Sequence, residues 1–104
     1  MNTKNKNSLD FKYGRMTLAR FLSSYRITAE LTQTELAKKL GWSKGNVCDI
    51  ESGRRTIGTE RAKLLSDITE IPLDYILEII LNQQLYEAGV RKHVKVEFEK
   101  KKAT

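Results

Sequence analysis

One cysteine, one proline, one tryptophan and one histidine are all that the 104 residues hold of these types, and each scarcity closes off a class of protein. Cys48 by itself closes no internal disulfide, and Cys48 with His93 makes no cluster at metal-ligand spacing, so neither a metal nor a cofactor is expected. No apolar run approaches the ~18 residues that cross a bilayer, which argues against a membrane partner. There is no glycine-rich phosphate loop and no nucleophile with a candidate base. The acidic residues fall at helix-surface spacing, so the chain does not read as an enzyme. The first fifteen residues lack the apolar central segment of a secretory signal. A soluble, cytoplasmic protein is the expectation.

What is present is charge. The net charge is +6, and 39% of the residues are hydrophobic, enough for one domain with a modest core. Residues 1–15 carry four basic and one acidic side chain, and residues 91–104 carry six and two, whereas residues 16–90 carry nine and ten. Within that near-neutral centre, Lys38, Lys39, Lys44, Arg54, Arg55, Arg61 and Lys63 face only Asp49, Glu51 and Glu60. A local basic excess of this kind suits a polyanion, since phosphate neutralisation supplies most non-specific affinity for nucleic acid.

The apolar pattern from Leu18 through Phe21, Leu22, Tyr25 and Ala29 has the three-four spacing of a helix with one buried face. Thr32 and Glu35 form a capping box that starts a second helix at about Gln33, with Leu36, Ala37 and Leu40 on its inner face. Gly41 follows as the residue best able to take the left-handed conformation that ends a helix. Ser43 caps a third helix, in which Val47 and Ile50 point inward while Lys44, Gly45, Asn46 and Asp49 lie elsewhere. After the basic loop Arg54-Arg55-Thr56, Thr59 is positioned to cap a fourth helix, which Pro72 ends. The segment LDYILEIILNQQLYEAG then gives a fifth helix, with more apolar surface than one small core covers.

Beyond Gly89 the period changes to two. Val94, Val96 and Phe98 alternate with Lys95, Glu97 and Glu99, which predicts a short amphipathic strand. A lone strand leaves backbone groups unpaired, so pairing with its own copy and strand addition by another protein are both open. Tyr75, Ile79, Ile80, Val94, Val96 and Phe98 are therefore the candidate dimer-interface residues. The organisation expected is a basic arm over 1–15, a helical domain over 16–82, and a helix end, strand and basic tail over 83–104.

Ala37 as a small residue, Gly41 at a turn, and Leu36, Leu40, Trp42, Val47 and Ile50 as a shared core are what a helix-turn-helix needs to project its second helix. QTELAKKLGWSKGNVCDIESG (residues 33–53) resembles the lambda-repressor-like, Xre-type helix-turn-helix family. IPLDYIL (71–77) resembles the opening of that family's fifth helix. The likeness covers roughly residues 17–82. It implies an all-α, five-helix DNA-binding domain, here with a short C-terminal β-strand extension, and double-stranded DNA as partner.

The family implies roles for single positions. Lys44, Gly45, Asn46 and Asp49 fall where members read base edges: Lys44 has a donor for guanine O6 or N7, and Asp49 an acceptor for cytosine N4. Gly45 departs from the usual polar side chain, which fits either close approach to DNA or low specificity. Gln33, Ser43, Arg54 and Arg55 fall at phosphate-contacting places. Arg26 and Glu51 match a structural ion pair, while Thr69 and Glu70 stand where an apolar residue and a glycine are usual. The function implied is a dimeric, sequence-specific repressor on a palindromic operator. An antitoxin with a toxin-binding C-terminal segment, or a restriction-modification controller, are the alternatives.

Overall fold

Five helices follow one another in the computed structural model, which describes residues 16–99: α1 (Leu18–Thr28), α2 (Gln33–Leu40), α3 (Lys44–Glu51), α4 (Thr59–Thr69) and α5 (Leu73–Glu87). The expected arm over 1–15 and the basic residues 100–104 lie outside the described residues. The core gathers the inner faces of all five helices. Leu22, Leu36, Val47, Ile50, Leu65 and Ile76 are its largest fully buried side chains. α3 packs between α1 and α2, and α5 packs on α1 and α4.

Helix starts follow local chemistry. Thr17 caps α1 through its side chain, which accepts from the N–H of Arg20, and the capping box of Thr32 and Glu35 opens α2 with both reciprocal bonds made. The N–H of Leu18, another orphan donor of α1's first turn, is taken up at 2.8 Å by the side-chain oxygen of Gln83 on α5. α4 begins one residue earlier than its sequence suggests. Gly58, not Thr59, is the N-cap, with no side-chain bond, because the extended residue whose carbonyl receives Ala62 N–H is Gly58.

The junction of α4 and α5 lacks the glycine that the resemblance implies, yet Glu70 itself takes the left-handed conformation (φ 63°). Two hydroxyls close the turn around it. Ser66 donates to the carbonyl of Ile71 at 2.6 Å, while Thr69 donates to that of Leu65 at 2.8 Å and accepts from Ile71 N–H.

Two expectations need correction. Residues 90–99 contain no β-strand, and none occurs among the described residues. The alternate bonding of Val94 and Val96 is that of extended chain over 94–96, but its partner is a helix. The Asn82 side-chain amide accepts from Val94 N–H at 2.9 Å and donates to Val94 carbonyl at 3.0 Å, and Glu78 accepts from Val96 N–H at 2.9 Å. The match is metric: four residues of helix rise about 6 Å and two residues of extended chain span about 6.7 Å, so side chains at 78 and 82 meet alternate backbone groups. The second correction concerns α5. Ile79 and Ile80 are buried in the core of this one chain, because α5 is covered on more than one face, leaving Tyr75, Leu81, Val90 and Phe98 as exposed large apolar side chains there.

Candidate nucleic-acid interface

The corner between α2 and α3 is closed by backbone. Gly41 adopts φ 75°, Trp42 N–H donates to Ala37 carbonyl at 2.9 Å and Gly41 N–H to Lys38 carbonyl at 3.2 Å, the paired bonds of a Schellman motif. Ala37 is almost wholly buried at this crossing, so only a small side chain lets the two helices approach. Trp42 packs half-buried against the core, and Ser43 then starts α3 by accepting from Asn46 N–H at 3.0 Å. Lys44 and Gly45 at the leading end of α3 are exposed, whereas Val47 and Ile50 are fully buried beneath them.

The far end of α3 is fixed by Glu51. Its carboxylate accepts from Arg26 Nε at 2.8 Å and Nη2 at 3.1 Å, a bidentate pair, and from the Gln33 amide at 3.0 Å. Arg26 also donates to the carbonyl of Leu31 at 3.0 Å, so one guanidinium joins α1, the α1–α2 turn and α3. The bond to Glu51 raises the Arg26 pKa against the opposing effect of burial, so the charge is permanent. Glu51 is 7% exposed and Arg26 19%, which makes this a partly buried network whose members depend on one another. Gln33 thus spends its side chain inside the protein. Its backbone N–H, at the first position of α2, meets no hydrogen-bond acceptor among the described residues.

The other expected site residues lie along α3 and in the loop after it, and several are already engaged. Asn46 donates through its amide to Ser43 Oγ at 2.6 Å and accepts from Arg61 Nη1 at 2.8 Å. Asp49 accepts from Arg54 Nη2 at 3.0 Å in an exposed ion pair, so its carboxylate is not left facing outward without a counter-charge. Arg55 is exposed beside it, and Lys38 and Lys39 are exposed on α2. Gly45 answers no internal need: its φ is ordinary, and an added Cβ would meet only Ser43 Oγ at 3.8 Å. Cys48 is half-buried and free.

Arg61 belongs to this face and was not among the expected site residues. From the first turn of α4 it lays its guanidinium 4.9 Å from the Trp42 ring centroid while bonding Asn46, and so buttresses the start of α3. The sequence shows only one more basic residue, since the contact joins positions fifteen apart in different helices. Among the described residues no group of His, Cys, Asp and Glu could hold a metal ion, and no helix is long and apolar enough to cross a membrane.

No curated protein and no solved structure matches the chain. A family model described as helix-turn-helix matches residues 22–76, just over half of the sequence and all of the geometry from the middle of α1 to the start of α5. With its turn at Gly41 and an exposed third helix behind it, the chain belongs to the Xre, lambda-repressor-like helix-turn-helix family of DNA-binding transcription regulators.

Proposed function

We propose that the protein is a dimeric transcriptional repressor that lays α3 in the major groove of a palindromic operator, each copy occupying a half-site about one helical turn from the other. One observation carries this reading: Lys44 and Gly45 are exposed at the leading end of α3, and further exposed basic residues precede it on α2 (Lys38, Lys39) and follow it in the next loop (Arg54, Arg55). Lys44 reads a base edge. Asn46, with its oxygen on Arg61, offers an N–H and not a bidentate edge. Gln33 holds a phosphate through its backbone N–H at the start of α2, where the helix dipole adds attraction for an anion. Arg54 and Arg55 grip the backbone without reading sequence, Arg54 with the donors that Asp49 leaves over. Occlusion of a promoter is the default mechanism, and the bacterial nucleoid is where such a protein works.

Selection of bound sequences from random duplexes, at stated salt, tests the whole reading, which expects an enriched palindrome. Replacing Arg54 and Arg55 by alanine should weaken binding to every duplex and reduce the salt slope by up to about 2. An unchanged slope removes both from the phosphate contacts. Changing Lys44 should alter the order of preference among operators, and uniform weakening would move it to the backbone.

An antitoxin that uses the same helix-turn-helix for autoregulation is the second reading. The exposed Phe98 and the one-sided pairing of residues 93–97 favour it, since another protein could add a strand there.

A further inference from the structure

The segment around Val94 and Val96, bonded at alternate residues as extended chain is, is held along one edge only. Peptide groups alternate in direction along an extended chain, so those of Val94 and Val96, bonded to Asn82 and Glu78, face α5. Those of His93, Lys95 and Glu97 face away, and among the described residues nothing bonds the backbone of Lys95 or Glu97. Arg91 pins the entrance to the segment, donating to Tyr86 carbonyl at 2.9 Å with its guanidinium 4.1 Å from the Tyr86 ring centroid. The result is a positioned strand edge with unpaired donors and acceptors, next to Phe98 at 57% exposure.

We infer that this edge is covered by the same segment of a second copy, running antiparallel, with the two-fold axis passing between the two Val96 residues. The inference rests on the homodimer proposed above and specifies what joins it. Charge selects the register. Only the outward-facing odd positions can exchange backbone bonds, so the centre of symmetry is limited to a few choices. Centring on Lys95 sets lysine against lysine, and centring on Glu97 sets glutamate against glutamate, both unfavourable directly across a ladder. Centring on Val94 faces His93 with Lys95 and Lys92 with Val96, and its one favourable pair, Arg91 with Glu97, would draw Arg91 from its bond to the Tyr86 carbonyl.

Centring on Val96 places Lys95 opposite Glu97 in both directions and His93 opposite Glu99. On the other face it puts Val96 against Val96 and Phe98 against Val94. The central pairs over 94–98 are then each opposite in charge or apolar, while the His93 imidazole stays beside Asn82 and Glu78 of α5. Lys95 and Glu97 are 74% and 71% exposed in the single chain and bridge each other at only 3.7 Å, so they are available for this exchange. α5 already guards the inner edge, and a second copy that pairs the outer one leaves no open edge at the centre of the ribbon.

Sedimentation equilibrium of the full chain without DNA tests the register by charge reversal at two exposed positions that support no core contact. Lys95→Glu alone and Glu97→Lys alone should each weaken self-association about tenfold, since each creates two like-charged pairs per dimer. The double variant Lys95→Glu/Glu97→Lys, and an equimolar mixture of the two single variants, should both return to the wild-type association. In a Cys48→Ser background, Val96→Cys should oxidise to a covalent dimer while Lys95→Cys does not, because only the former meets its own copy across the axis. Single reversals that leave association unchanged, a mixture as weak as its components, or a wild-type chain that stays monomeric at every concentration would each overturn the inference. DNA is absent from these measurements, so failure of the operator reading leaves them untouched. A dimer whose association is unmoved by either single reversal would sink this inference alone, whereas a chain that stays monomeric would sink the dimeric reading with it.

Discussion

The corner at Gly41 and the segment after Gly89 are both places where the chain leaves a helix, and they are secured by opposite means. At the corner the backbone bonds to itself, Trp42 to Ala37 and Gly41 to Lys38, and the adjoining side chains go into the core. After Gly89 the backbone is held by side chains of another element, Asn82 and Glu78, and on one edge only. The first arrangement fixes a shape and keeps polar side chains free for the surface beyond it. The second positions a segment while leaving half its backbone groups for a partner. Recognition of DNA needs the former, because a helix that shifts by an ångström loses its base contacts. The assembly we propose would be served by the latter.

This contrast breaks most sharply at Glu51. Replacing it by alanine strands Arg26 and Gln33 in a partly buried site, and urea unfolding should show a loss of about 3 kcal/mol. A loss no larger than that of an exposed pair would mean that α3 is held by apolar packing alone. Gly41→Ala comes next. An added Cβ meets nothing within 4 Å, so the cost is purely that of φ 75°, about 1–2 kcal/mol, with the loss read in the same assay. Asn82→Leu attacks the other region. It removes both bonds to Val94 and should cost about 1 kcal/mol, with faster amide exchange at Val94 but unchanged protection in α2 and α3. Equal loss of protection in all three segments would show that tail and corner are one cooperative unit. Smallest is a gain. Glu70→Gly relieves a left-handed residue and removes an acidic group from a helix C-terminus, and should raise stability by about 0.5–1 kcal/mol.

The same division explains what could be read from the sequence. Interactions spanning three or four residues were legible: the Thr32–Glu35 box, the Ser43 cap, the glycine at 41 and the inward faces of α2 and α3. The period-two pattern of residues 94–98 predicted a β-strand, which is absent, because it could not show that the segment's partner is two side chains of a helix twelve and eighteen positions away. Ile79 and Ile80 looked available because a helical stripe was assigned one covered face, whereas α5 is covered by α1, α4 and the tail together. Arg61 and the internal use of Gln33 were invisible for a related reason, since each depends on where a different helix comes to rest. Glu70 is the reverse case. A residue with a poor intrinsic preference takes the turn because Ser66 and Thr69 hold it from both sides.

The bond from Leu18 N–H to Gln83 joins the first helix to the last across sixty-five positions. A cut after residue 82, where the composition invites one, would take away that acceptor and open the start of the very helix whose Arg26 anchors the recognition element. A piece that keeps this tie between the first helix and the last therefore extends past Gln83, although no residue proposed to face DNA lies there.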